Sequence, residues 1–328
     1  MLDDRKAAIL HAVVQEYIET AQPVGSGRIS NAPGVEVSSA TVRSDMALLE
    51  EQGYLTQPHT SAGRIPTDQG YRFFVDRVRA ADPSLGPADR ATIHDFFAVT
   101  HGELESMLTH TSELLSQLTD WTAVVVGPSA DAATIRSAQM IDLSSHVVMI
   151  VAVMSNGGVE KRTLETPVEL TRAIVSDASD RMAERIVGRS LTDLESVDGS
   201  LDPLVDAAIV ALREANEGSE LFVGGASRLA SAFEAVDQVR EVLAILEKQL
   251  VVVSLIDDVI ERGMRVAIGE ETGMEMLADC SIVVAPYHIE GAPAGTIGVL
   301  GPTRMDYSQA LSAVAVVSRR LGNALSEG

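Results

Sequence analysis

The sequence predicts an α+β chain of several domains: a winged helix-turn-helix at the start, then a sheet domain interrupted by a mainly helical insertion. Three observations carry that reading. Between Val35 and Phe74, a short helix with polar residues off its apolar stripe is followed by a small hairpin. From Trp121 the apolar residues gather into short β-branched runs of the kind strands show, and such runs return only at Ile282. Between the two strand groups lies a helical block.

Ile9, Val13 and Tyr17, with Leu10 and Val14 beside them, give residues 5–19 the stripe of an amphipathic helix. Gln22 to Gly25 break it, Ser26 is expected to cap a short second helix, and Pro33 with Gly34 makes a tight turn. Ser38 then sits where a helix N-cap belongs, and Val42, Met46 and Leu49 form one stripe that ends before Gly53. Ser39, Thr41, Arg43 and Ser44 stay off that stripe. Tyr54–Gln57 is strand-like, Ser61 to Gly63 turn the chain, and Arg64 and Ile65 return before Pro66 closes the hairpin. Helix, short helix, turn, helix and basic-tipped hairpin is how a winged helix-turn-helix meets a DNA groove.

Thr67 and Asp68 open a helix with Tyr71, Phe74, Val75 and Val78 on one face, and the Pro/Gly-bearing stretch from Ala80 to Pro87 reads as a linker. A helix from about Glu103 to Leu118 follows. Ala123–Val126, Ala138–Leu143 and His146–Met154 are short β-branched runs, and Ser155–Gly158 turn the last of them into Val159–Leu164. Asp177–Leu191 and Asp202–Asn216 read as helices, the second with Asp202 at its N-cap and Pro203 at N1. Strands resume at Ile282–Ile289 and Ala294–Leu300, joined across Glu290 and Gly291, and Ser308 starts a final helix. The expected divisions are residues 1–80, a linker at 81–102, a sheet domain in two parts at 103–167 and 223–328, and an insertion at 168–222.

With 328 residues the chain can build two or three domains, each with a core. Its longest apolar run, Val147–Met154, is far shorter than the roughly 20 residues a bilayer crossing needs. The opening MLDDRKAAIL lacks the apolar core of a secretory signal, so a cytoplasmic protein without membrane contact is expected. Cys280, the single cysteine, cannot form an internal disulfide and reads as a small buried hydrophobe. The net charge of −22 is unevenly spread. Residues 1–80 hold eight Lys and Arg against ten Asp and Glu, whereas the rest hold seventeen against thirty-seven. Arg28, Arg43, Arg64, Arg72, Arg77 and Arg79 are thus available for a local positive face, while the acidic remainder repels non-specific DNA or serves solubility.

No catalytic constellation emerges, and neither an enzyme nor a cofactor is expected. The histidines at 11, 59, 94, 101, 110, 146 and 288 show no HExxH or paired-ligand spacing, and no phosphate-cradling loop is present. Gly295, Gly298 and Gly301 recur within a strand, where tight packing explains them. The candidate site is a DNA interface. Ser39, Thr41, Arg43 and Ser44, with the capping Ser38, would face the major groove, where Arg43 can reach guanine bidentately. The alternative for Arg43 is a surface ion pair with Glu50 or Asp45. At the hairpin Arg64 would touch phosphate or the minor groove, or simply be solvated, with His59, Thr60 and Ser61 as weaker partners.

The runs PVGS (Pro23 to Ser26), VSSATVR (Val37 to Arg43), LEEQGYL (Leu49 to Leu55) and PHTSAGRIPTDQGYRFFVD (Pro58 to Asp76) resemble the HrcA family of bacterial heat-inducible transcription repressors. The likeness continues at VGGASRL (Val223 to Leu229) and GVLGPTRMDY (Gly298 to Tyr307). It implies a homodimeric repressor of the groE and dnaK chaperone operons, acting at double-stranded operator DNA with an inverted repeat, the CIRCE element. It further implies that the chaperonin GroEL keeps the repressor active. It also implies a GAF-like α/β domain interrupted by a mainly helical inserted dimerising domain. Two departures bear on DNA contacts. Ser30, Asn31 and Ala32 stand where relatives usually have basic residues in the second helix, and Ser44 stands where many have Asn. The alternative reading is a metabolite-responsive winged-helix regulator that uses the GAF-like domain as ligand sensor.

Overall fold

A computed structural model describes residues 2–59, 63–80, 84–99, 104–128, 133–155, 158–196, 202–213, 220–228 and 236–327. The chain opens with α1 (Asp4–Thr20), α2 (Ser26–Ile29) and α3 (Ser39–Glu51), then a hairpin of β1 (Leu55–Thr56) and β2 (Ile65–Pro66), then α4 (Asp68–Ala80). Ile9, Leu10, Val13 and Val14 of α1 are buried together with Val42, Met46 and Leu49 of α3, so the two predicted stripes meet in one core. Helix α3 stops where its last carbonyls find other donors. Gly53, at φ 80°, donates its N–H to the Glu50 carbonyl at 3.0 Å, and Tyr54 donates to that of Leu49 at 2.9 Å. A left-handed residue is needed for this pairing, and glycine adopts that conformation without strain.

The expected cap of α2 is displaced by one residue. Gly25 holds the N-cap position, and Ser26 is the first helical residue, its hydroxyl 3.1 Å from that of Ser39 rather than on its own first turn. The hairpin has an extra backbone partner: Val24 and Arg64 exchange both N–H···O bonds at 2.9 Å. At Gly63 a Cβ would run into the Val24 carbonyl, so this approach requires glycine.

The stretch expected as a linker contains a packed helix, α5 (Pro87–Val99). Leu85 and Ile93 are buried in the same core, and Gln309 Nε2 donates to Asp89 Oδ2 at 3.2 Å. Ile93 alone on α5 is fully buried, with Phe96 and Phe97 partly so, which leaves too thin an apolar stripe to read from sequence.

After α6 (Leu104–Thr119) the strands β3 (Thr122–Val126), β7 (Leu221–Gly224), β8 (Val266–Ile268), β9 (Cys280–Ile289) and β10 (Ala292–Pro302) form one antiparallel sheet in the order β7-β3-β10-β9-β8. Helices cover both faces. Ala123, Val125, Val283, Ile297 and Val299 pack with α6 and α11 (Tyr307–Glu327), while Val124, Ile282, Val284 and Leu300 pack with α9 (Val236–Leu246) and α10 (Gln249–Glu261). Glu290 and Gly291, both at positive φ, make the tight connection between β9 and β10. The core of α1, α3 and α4 is continuous with the α6/α11 face of this sheet. At the junction the Asp68 carboxylate accepts from the Glu270 N–H at 3.0 Å, and the Tyr71 and Tyr307 rings lie 6.1 Å apart.

The strands β4 (Ile135–Ser144), β5 (Val147–Met154) and β6 (Val159–Glu165) were expected in the same sheet as β3, β9 and β10; instead they form a separate three-stranded antiparallel sheet in the order β4-β5-β6. Val148, Ile150, Ala152 and Met154 are buried against α7 (Arg172–Ile186) and α8 (Pro203–Arg213), in a core separate from that of the larger sheet. Strands expected in the first part of the larger sheet domain, 103–167, thus share a core with the helices of the expected insertion, 168–222. Strand β5 reads VVMIVAVM, a continuous apolar run like that of a doubly covered strand, yet alternate residues are only half buried. Helix α7 begins at Arg172, capped by Thr171, five residues before the expected start, and the Asp202 carboxylate accepts from the Leu204 and Val205 N–H groups to cap α8. The turn at residues 156–157 lies outside the described residues. Among the described residues no helix is long and apolar enough to cross a membrane.

Candidate nucleic-acid interface

Helix α3 is set by its cap and by what lies beneath it. Ser38 has the extended backbone of an N-cap, φ −64° and ψ 153°, and its Oγ accepts from the Thr41 N–H at 3.2 Å. The Thr41 hydroxyl lies 2.9 Å from the same Oγ, so Ser38 and Thr41 serve the first turn of their own helix. Ser39 is exposed but leans its hydroxyl on Ser26. Beyond them Ala40, Arg43, Ser44 and Leu48 recur at helical spacing on the outer face, all exposed. Ala40 and Leu48 were not foreseen as part of it. The signal was available in the three-and-four spacing from Arg43 and Ser44, but apolar residues there look like misplaced core.

The ion pairs decide which cations remain for a ligand. Arg5, on α1, donates from Nε to Asp45 Oδ2 at 2.8 Å and from Nη2 to Oδ1 at 3.3 Å. The Asp45 side chain is 4% exposed, and the pairing raises the Arg5 pKa still further above its ordinary value. Arg64 donates from Nε to Glu50 Oε2 at 2.9 Å, with Nη2 2.8 Å from the same oxygen. Both carboxylates that might have engaged Arg43 are thus occupied. Among the described residues Arg43 forms no ion pair and projects from the outer face.

The hairpin is different from what its sequence suggests. Arg64 is not an open cationic tip: its side chain is 16% exposed, laid on the last turn of α3, because the Val24 bridge holds its backbone at the base of the hairpin. His59 is exposed just after β1. Thr60 and Ser61 lie outside the described residues. In the second helix Arg28 pairs with Glu16 of α1. Among the described residues no group of three or more His, Cys, Asp or Glu is arranged to hold a metal ion.

Fold and site together define a mixed α/β protein that offers to solvent the outer face of a capped helix, on which Arg43 has no ion-pair partner among the described residues. The family model for the HrcA protein C-terminal domain matches residues 105–311. Relatives include the heat-inducible transcription repressor HrcA of Streptomyces avermitilis, 37% identical over 342 residues with 100% of both chains covered. The protein of the same name from Cutibacterium acnes is 38% identical over 344 residues, again covering 100% of each. A crystal structure described as that of a hypothetical protein matches with a TM-score of 0.71 and 25% identity, over 100% of this chain and 99% of the other. The chain belongs to the HrcA family.

Proposed function

We propose that the protein is a heat-inducible transcription repressor in which residues 1–80 form a winged helix-turn-helix that reads operator DNA. In this reading α3 is the recognition helix and the β1–β2 hairpin is the wing. The observation that carries it is the outer face of α3, where Arg43, without an ion-pair partner among the described residues, stands between Ala40, Ser44 and Leu48. A guanidinium there can bond guanine N7 and O6, while Ala40 and Leu48 can contact thymine methyl groups. The names of the full-length relatives support the regulatory role and its link to heat.

A homodimer would present two recognition helices to the two halves of an inverted repeat such as CIRCE, upstream of groE- and dnaK-type operons. The β4–β6 unit is our candidate for the inserted dimerising domain. Ile141 of β4 lies opposite Met149 of β5, and with Val151, Val153 and Val159 they leave an incompletely covered apolar face, which suits a self-complementary contact. The five-stranded sheet with its two helical layers is the counterpart of the GAF-like domain. We read the protein as cytoplasmic because its ligand would be chromosomal DNA, and chaperonin dependence would report chaperone supply through a fold of marginal stability.

Footprinting of the purified protein on the promoters of chaperone operons tests this reading. Protection of a palindromic segment, lost when one half is scrambled, is the expected result. Equal binding to promoter and scrambled duplex at physiological salt rejects it. Added chaperonin should raise the bound fraction, and an unchanged fraction would remove the chaperonin part alone.

A further inference from the structure

We propose that Arg64 is a positioning residue for operator reading: through Glu50 it fixes the wing to the recognition helix, and it does not carry its charge to a phosphate. The inference rests on the DNA-binding reading above.

One residue here joins three elements. Its guanidinium converges on Glu50 Oε2 in the last turn of α3, with Nε at 2.9 Å and Nη2 at 2.8 Å. Its backbone exchanges two hydrogen bonds with Val24, in the connection between α1 and α2. Its own chain continues at once into β2, where Ile65 pairs with Thr56 of the wing. Gly63, immediately before it, has no room for a side chain against the Val24 carbonyl. Movement of the wing relative to α3 would therefore break the ion pair and the bridge together.

Electrostatics explains why the pair stays closed. Glu50 lies near the C-terminus of α3, where the helix dipole already places partial negative charge. A carboxylate left unpaired there is destabilised by that dipole and would also repel the DNA backbone. Arg64 cancels both effects while it remains in place; lent to a phosphate, it would restore them. The Arg64 and Glu50 side chains are only 16% and 34% exposed, so the pair is screened less than a fully solvated one. Arg43, by contrast, is free to meet a ligand without uncovering a carboxylate.

A recognition helix and a wing must engage DNA at the same time, so an error of about 1 Å in their relation weakens both sets of contacts. Arg5 provides an internal comparison. It braces the same helix through Asp45 but comes from α1 and, among the described residues, makes no bond to the wing.

The test measures affinity for operator and scrambled duplexes over a salt series with Arg64→Ala, Glu50→Ala and the double variant in the full chain. Positioning predicts that each single change lowers the operator-to-scrambled ratio by roughly tenfold, and that the double variant is no worse than either. The slope of log affinity against log salt should stay as in the wild type. Arg64→Lys, which keeps the charge but loses the planar fork, should also lose preference at an unchanged slope. Arg5→Ala should keep the ratio within about twofold of wild type, since the bonds it removes run from α1 to α3 and not to the wing strands. A slope reduced by about one in Arg64→Ala, with Arg64→Lys and Glu50→Ala both near wild type, would show a phosphate contact and overturn the inference. So would an equal loss of preference in Arg5→Ala, which would mean that any weakening of α3 suffices. A wild-type protein that binds both duplexes alike overturns the DNA-binding reading itself, and this inference with it.

Discussion

Arg72 of α4 lies against Glu271 in the turn after β8, its Nε 2.9 Å from Oε1, and its Nη2 also donates to the Val266 carbonyl at 2.8 Å. Nearly two hundred residues separate the partners in sequence, so the bond ties the N-terminal helices to the edge of the five-stranded sheet. Arg72→Ala should lower stability to urea by about 1–3 kcal/mol, because Glu271 is less than one-third exposed and loses its main cation. An unchanged unfolding midpoint would show that this ion pair adds nothing to the junction.

Arg43→Ala should weaken operator binding by about 1–3 kcal/mol and relax preference at one base pair of each half-site. Competition with operators mutated one position at a time measures this. Equal loss on specific and random DNA would mean that Arg43 touches phosphate only.

Ser38→Ala removes the N-cap of α3 and should cost about 1 kcal/mol of stability, while Ser38→Asp, another good cap, should hold it. Chemical denaturation of the two variants compares them directly. Similar losses in both would point to a role for the hydroxyl outside the helix terminus.

His11 is half-buried, its ring 4.8 Å from that of Phe74, and burial, aided by the nearby Arg77 charge, lowers its pKa below the ordinary 6.5. The folded state therefore disfavours the imidazolium. Its contribution is complete above pH 6.5 and is lost as the pH falls from there through the folded value. Thermal unfolding between pH 7.5 and about 5 should show a falling midpoint in the wild type and a shallower fall in His11→Gln. Parallel pH profiles would exclude His11 as the titrating group.

Cys280 is buried in β9, and burial pushes its thiol pKa up to about 12. The native protein should react with a thiol reagent only through opening of the sheet, far more slowly than denatured protein. Rapid labelling below the melting range would show that β9 opens locally.

The elements governed by neighbours in sequence were legible. Ser38 caps α3, Gly53 ends it and Asp202 caps α8 because each bonds within a few residues of itself. Arg43 was legible as an exposed side chain because helical spacing alone puts it off the stripe. Arg64 was not, since its partner Glu50 lies 14 residues away and spacing on α3 suggested that carboxylate only as a partner for Arg43. The grouping of β5 failed for a related reason. An apolar run marks a strand, but how far each face is covered and which sheet it joins depend on contacts that spacing along the chain does not encode.

The shared core beneath α1, α4 and α11 ties melting of the N-terminal helices to that of the larger sheet. Those helices cannot come undone on warming without exposing apolar side chains of the core they share with α6 and α11, which cover one face of that sheet, so the two should lose their order in a single cooperative step. The β4–β6 unit, whose apolar interior is its own, is free to melt at a different temperature. Under the proposed function, in which the first unit reads DNA and the second pairs subunits, warming would act on the two at separate points of the thermal scale, and whichever gave way first would set the temperature of derepression.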